Sequence, residues 1–165
     1  MAGGVSVVET VRLVDLERDG DALLHLLDHY ASDPMGGGKP LSPEVKQQLI
    51  PQLQSRSDYL GIIALHGEQA IGLINAFEGF STFAAKPLMN IHDVIVASEY
   101  RGNGLAQRMM AKVEEIARER GCCKLTLEVL SNNHVAQAAY RKFGFGVYEL
   151  DPEVGGAVFW EKALS

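Results

Sequence analysis

The chain has 165 residues, enough for one domain with a full core. Its 47% hydrophobic and 22% charged residues are ordinary for a soluble globular protein. Its 21 acidic and 15 basic residues leave a formal charge of −6, which argues against general nucleic-acid binding and is compatible with a cationic substrate such as an amine.

No apolar run approaches the length of a membrane span, and the N-terminus lacks a signal-peptide pattern, so a cytoplasmic protein with no membrane partner is expected. Cys122 and Cys123 are adjacent. Adjacent cysteines rarely make a structural disulfide and two make no metal framework, so reduced thiols and no bound metal are expected.

In chain order, the valine-rich residues 5–14 predict a first strand. Residues 15–30 predict a helix with a stripe of Leu23, Leu24, Leu26 and Leu27. His25 and His29 lie one turn apart there, without a third ligand nearby in sequence, and read as a solvated or half-buried pair. Glycines and prolines make 31–43 a loop, either a substrate lid or only a connection. Ser42 can cap a helix with Pro43 at its first position, running to about Leu53. Residues 59–66 and 69–80 read as a hairpin about Gly67-Glu68. Phe77, Phe80 and Phe83 then lead toward a central strand at 88–97; they fit a substrate pocket or core packing about equally.

The central passage is Ile91 to Ala106, IHDVIVASEYRGNGLA. It opens as a β-branched run and ends in Arg101-Gly102-Asn103-Gly104. From Leu105 the apolar spacing turns helical, through Met109, Met110, Val113 and Ile116 to a glycine stop at Gly121. The first N–H groups of a helix have no intrahelical partner and can bind an anion. Gly102 and Gly104 let the backbone approach a ligand, and Arg101 adds positive charge, so a phosphate or pyrophosphate is indicated. A P-loop would need Lys and Ser or Thr after the last glycine, where Leu105 and Ala106 stand. A dinucleotide fingerprint would need glycine at Gln107.

Residues 124–130 alternate Leu125, Leu127 and Val129 against Thr126 and Glu128, the pattern of a strand. Asn132 or Asn133 caps a helix carrying Val135, Ala136, Ala139, Tyr140 and Phe143, ended by Gly144. Two closing strands are predicted near 145–150 and 157–162. No internal repeat, linker or second domain is expected.

What remains at 101–106 is Arg-x-x-Gly-x-Ala between a strand and an amphipathic helix. This resembles the acetyl-CoA pyrophosphate loop of the GNAT N-acetyltransferase family, whose motif is Gln/Arg-x-x-Gly-x-Gly/Ala. Downstream, Leu127-Glu128-Val129, Asn133, Ala136, Ala139-Tyr140 and Phe143-Gly144-Phe145 resemble that family's second motif, in the same order and at its usual separation. The resemblance covers residues 60–148 well and the rest by layout.

The resemblance implies one α/β domain over 1–165. Its sheet would be mixed, mostly antiparallel, splayed between the fourth and fifth strands and flanked by helices. Acetyl-CoA would be the cosubstrate and a small-molecule primary amine the acceptor, attacking directly in a ternary complex. A protein or peptide amine, a hydroxyl, and a non-catalytic acetyl-CoA-binding module are the alternatives. A homodimer is compatible with the family.

The implied cofactor contacts are Val94, Ile95 and Val96 on the strand, Arg101, Gly102, Asn103, Gly104, Leu105 and Ala106 in the loop, and Asn133 and Tyr140 on the last helix. Backbone groups of Val94 and Val96 would pair with the pantetheine, and an N–H near Val94 or Ile95 would face the oxyanion. Tyr140 matches the family's proton-donating tyrosine; a phenol is protonated at neutral pH. Glu128 is the first candidate for the base that accepts the amine proton, with Asp93 and His92 as runners-up.

Overall fold

The computed structural model describes residues 9–164. In order these form β1 (Glu9–Leu13), α1 (Leu16–Ser32), α2 (Pro43–Gln54), β2 (Tyr59–His66), β3 (Gln69–Ser81), β4 (Lys86–Val96), α3 (Leu105–Glu119), β5 (Leu125–Leu127) and α4 (His134–Phe143). Of the first predicted strand, residues 5–8 lie outside the described residues. The chain divides into two compact units, one ending at Leu127 and holding the sheet, the other starting at Glu128 and holding α4.

The helix starts follow their caps. The Asp15 carboxylate accepts from the Glu17 and Arg18 amides at the start of α1, and Ser42 accepts from Val45 with Pro43 at the head of α2. The loop between them contains a 3-10 turn at Pro34–Gly36. β1 is tied to α1 by Arg12, whose guanidinium donates to both Asp19 carboxylate oxygens at 2.7 and 2.9 Å. That pair holds the Asp19 carboxyl down at about 2, with the Asp15 amide adding a third hydrogen bond.

The strands lie in the order β1-β2-β3-β4-β5. The first four pair antiparallel, β2–β3 and β3–β4 through short turns and β1–β2 across the segment that holds α1 and α2, and β5 joins β4 in parallel after the α3 crossover. One sheet face carries α1 and α2, where Leu73 and Ile95 pack with Leu23, Leu26 and Leu53. The other carries α3, whose Met109, Met110 and Val113 are fully buried. Gly72 permits that approach: a Cβ there would stand 2.9 Å from the Met109 methyl and 3.2 Å from the Ile95 carbonyl.

Two irregularities shape β4. Asp93 pairs with Asn75 while Ile91 pairs with Ala76, so His92 is an extra residue, a β-bulge. On the other side, the parallel ladder to β5 covers only Met89–Ile91 against Leu125–Leu127. The sheet is therefore open between β4 and β5 beyond Ile91.

Two expectations need correction. The strand predicted over 124–130 ends at Leu127, because its ladder stops where β4 reaches the bulge. The closing strands predicted at 145–150 and 157–162 are reduced to a turn around Asp151 and a single bridge between Glu149 and Gly156. A two-stranded hairpin without a further strand has too little pairing to hold a regular ladder.

Candidate active site

The end of β4 presents backbone groups on its open side. The Ala97 amide donates to the Ile71 carbonyl on β3 at 2.8 Å. Antiparallel strands alternate hydrogen-bonded and non-bonded pairs. With Ala97 bonded, Ile95 opposite Leu73 is bonded too, whereas Val94 and Val96 direct their N–H and C=O away from β3. Of the three strand residues expected to contact a cofactor, Val94 thus offers its N–H and C=O at the open edge and Val96 its N–H, the Val96 carbonyl already accepting from Arg101. Ile95 spends its own on β3 and buries its side chain in the core.

The chain then makes a 3-10 turn at Ser98–Tyr100 and enters the glycine loop. Gly102 and Gly104 have φ of 79° and 75°, the left-handed region that glycine occupies without strain. Gly104 is the N-cap of α3 and supplies no capping side chain, so the first-turn amides, beginning with Leu105 and Ala106, are aimed at the loop. A Cβ at Gly102 or Gly104 would meet no protein atom within 4 Å. Packing within the described protein therefore does not demand glycine at either position; backbone conformation does, and an approaching ligand would add a second reason. Arg101 folds back, its Nε donating to the Val96 carbonyl at 3.1 Å, which places a cation between the strand edge and the loop. Open backbone edge, arginine, glycines and helix start form one continuous path suited to an extended amide-bearing chain ending in a phosphate group.

On the α1/α2 face of β2–β4 lies a polar cluster in an otherwise apolar layer. Asn75 is 4% exposed. Its amide nitrogen donates to Asp93 Oδ2 at 3.0 Å, and its carbonyl accepts from the Tyr59 hydroxyl at 2.7 Å. Burial pushes the Asp93 carboxyl above its ordinary range, against the Asn75 hydrogen bond and the His92 imidazole, which both pull it down. Burial likewise raises the Tyr59 and Tyr30 phenols, helped by the Asp93 charge. The exposed His92 ring lies 4.7 Å from Phe77, which stands 5.5 Å from Tyr59. Sequence reasoning named Asp93 and His92 but missed Asn75 and Tyr59. The available signal was a lone amide inside the apolar run IGLINAF.

The second unit carries the other predicted residues. Glu128 follows the end of β5 and is exposed. Asn133 is the N-cap of α4, its Oδ1 accepting from the Ala136 amide at 3.1 Å, which leaves its Nδ2 as the donating end. Tyr140 is half-buried on α4, its ring edge-on to Phe145 at 6.0 Å. Gly144, at φ 116°, ends the helix as expected. Among the described residues no group of three His, Cys, Asp or Glu is placed to hold a metal ion, and no helix is long and apolar enough to cross a membrane.

Known proteins resemble the chain in the same region. The model of the acetyltransferase (GNAT) family matches residues 23–145. Streptothricin acetyltransferase of Streptomyces lavendulae is 38% identical over 82 residues, 50% of this chain and 43% of that protein. The chain's matches span under half the length of several such curated relatives. Glucosamine 6-phosphate N-acetyltransferase of Trypanosoma brucei brucei is 32% identical over 138 residues, 81% of this chain and 86% of that one. Among solved structures, a possible acetyltransferase from Clostridium difficile 630 superposes with a TM-score of 0.78 at 18% identity, covering 96% of this chain and 99% of that one; this likeness speaks to fold.

Proposed function

Because the chain belongs to the acetyltransferase (GNAT) family, we propose that it transfers an acetyl group from acetyl-CoA to a primary amine of a small molecule, by direct attack in a ternary complex. The observation that carries this reading is the open edge of β4 running into the Arg101–Ala106 loop at the start of α3. Backbone groups of Val94 and Val96 would hold the pantetheine amides, and the loop amides with Arg101 the pyrophosphate. Acetyl-CoA supplies the activated acyl group; the chain's part is to orient it and to move protons.

For the amine proton we place Asp93 ahead of Glu128. Asp93 is half-buried beside the open edge of β4, and burial lifts its carboxyl above its ordinary range, the direction that makes a carboxylate a stronger base. Glu128 is exposed beyond the end of its strand. For Tyr140 and Asn133 the proposed roles, proton donor to the leaving thiolate and pantetheine contact, rest on the motif. The chain is read as one functional domain because the family match crosses from the first unit into the second. Relatives named for streptothricin, thialysine and glucosamine 6-phosphate support a small amine as acceptor.

The test is thiol release from acetyl-CoA across a panel of amino sugars, aminoglycosides, lysine analogues and peptides. Amine-dependent release supports the reading. Tight acetyl-CoA binding with no release for any amine would favour a non-catalytic binding module, and a preference for peptides would favour a protein acceptor.

A further inference from the structure

We propose that Asn75 and Tyr59 are positioning residues that hold the Asp93 carboxylate in one orientation, with Oδ2 anchored and Oδ1 left to take the amine proton. The proposal rests on the assignment of Asp93 as base.

Gly61, Asn75 and Asp93 stand side by side across β2, β3 and β4. A row of this kind inside a sheet usually carries three apolar side chains. Here it carries none, an amide, and a carboxylate. Gly61 makes room: a Cβ there would overlap the Tyr59 hydroxyl and Val14. Tyr59 thereby reaches across its own strand to the Asn75 carbonyl at 2.7 Å. The ionised Asp93 carboxylate can only accept, so it takes the NH2 end of the Asn75 amide, and the phenol, which can donate or accept, donates to the carbonyl end that is left and pins it. The NH2 end is the one that meets Asp93 Oδ2, at 3.0 Å. Without Tyr59 the buried Asn75 carbonyl would lose its donor and the amide its second anchor, so its NH2 would be held on Asp93 less rigidly. The bulge at His92 brings the carboxylate into this row: it resets the register so that Asp93 is opposite Asn75.

Among the described residues, the groups that face Asp93 are few. Tyr59 comes from β2, Asn75 from β3, His92 from β4 itself and Tyr30 from α1, with Asp33 just beyond it. Arg56 lies over the Phe77 ring but is engaged by Asp58 at 2.8 and 2.7 Å. The fixed donor on the carboxylate is thus Asn75, and the group that anchors the far end of Asn75 is Tyr59.

The experiment combines Asp93 titration by carboxyl NMR with pH profiles of kcat/KM for wild type, Asn75→Ala, Tyr59→Phe and the double variant. Removing a hydrogen bond to the charged form should raise the Asp93 pKa by about one unit or more in Asn75→Ala. The acid limb of the profile should move with it. Tyr59→Phe keeps the ring packed and should shift both in the same direction by less. The double variant should match Asn75→Ala, because Tyr59 acts only through Asn75. KM for acetyl-CoA should not change.

Variants that lower Tm while leaving the Asp93 titration and the acid limb in place would overturn the relay and make the cluster structural. Additive shifts in the double variant would overturn the order of the chain. The NMR titration does not depend on activity. A shifted titration in a protein without amine acetylation would uphold the relay and reject the proposed function, whereas an unmoved titration in an active enzyme would do the reverse.

Discussion

Replacing Gly104 by Asp should separate stability from cofactor binding. Gly104 is the N-cap of α3 at φ 75°, and nothing within 4 Å would touch an added Cβ. On the fold, two small effects oppose each other. A left-handed non-glycine residue costs roughly 1–2 kcal/mol, less for Asp than for most. A carboxylate at a helix N-terminus returns about 0.3–1 kcal/mol. The net change in stability should be ~1 kcal/mol or less, and the protein should remain folded.

On acetyl-CoA the same carboxylate acts without compensation. It would occupy the anion position at the helix start, and at about 5 Å from one phosphate charge the repulsion at an effective dielectric of 20 is ~3 kcal/mol. That corresponds to a loss of affinity on the order of a hundredfold. Calorimetric titration with acetyl-CoA, beside a thermal melt, reads both quantities. Gly104→Ala is the control for backbone strain without charge, and should lose far less affinity. A folded Gly104→Asp protein with wild-type affinity would refute the pyrophosphate assignment of the loop.

Asp93→Asn should lower kcat/KM by a hundredfold or more near neutral pH, and more than Glu128→Gln does, with acetyl-CoA affinity intact in both; steady-state kinetics and calorimetry decide the order. Because the folded-state pKa of Asp93 is raised, its ionisation opposes folding increasingly as the pH rises from the unfolded value of 3.8 and fully once it exceeds the folded one, so the same Asn variant should raise Tm at pH 7. Tyr140→Phe should reduce kcat with little change in acetyl-CoA affinity and should alter the high-pH limb; near-normal kcat with weakened affinity would make Tyr140 a binding residue instead. Asp19→Asn should destabilise the β1–α1 corner by ~2.5 kcal/mol at pH 7, from a carboxyl lowered from 3.8 to about 2. A folded pKa below the unfolded one means that this stabilisation is complete above about pH 4 and fades as the pH falls toward 2, so chemical denaturation curves of the two proteins should converge there.

The elements with strong local signals were legible in the sequence. The hairpin 59–81 was readable because a tight glycine turn separates two β-rich runs, and α2 because Ser42-Pro43 marks its start. The glycine loop was readable for the same reason: positive φ leaves a compositional trace. The bulge at His92 left none. Nothing in IHDVIV says that one residue is unpaired, since a bulge depends on the register of the neighbouring strand. Without it, Asp93 cannot be matched to Asn75, whereas Glu128 is singled out by its place in the Leu127-Glu128-Val129 string. The closing strands were over-read for a related reason: alternation of apolar residues shows what could pair, whereas a ladder also needs a partner.

The most direct measurement is product analysis after incubation with isotopically labelled acetyl-CoA and primary amines, by mass spectrometry and NMR. Wild-type protein should leave label on the amine nitrogen of at least one small-molecule acceptor, and Gly104→Asp should lose most of that product. Label on oxygen, or acetyl-CoA bound at the loop with every amine returned unmodified, would contradict the proposed function.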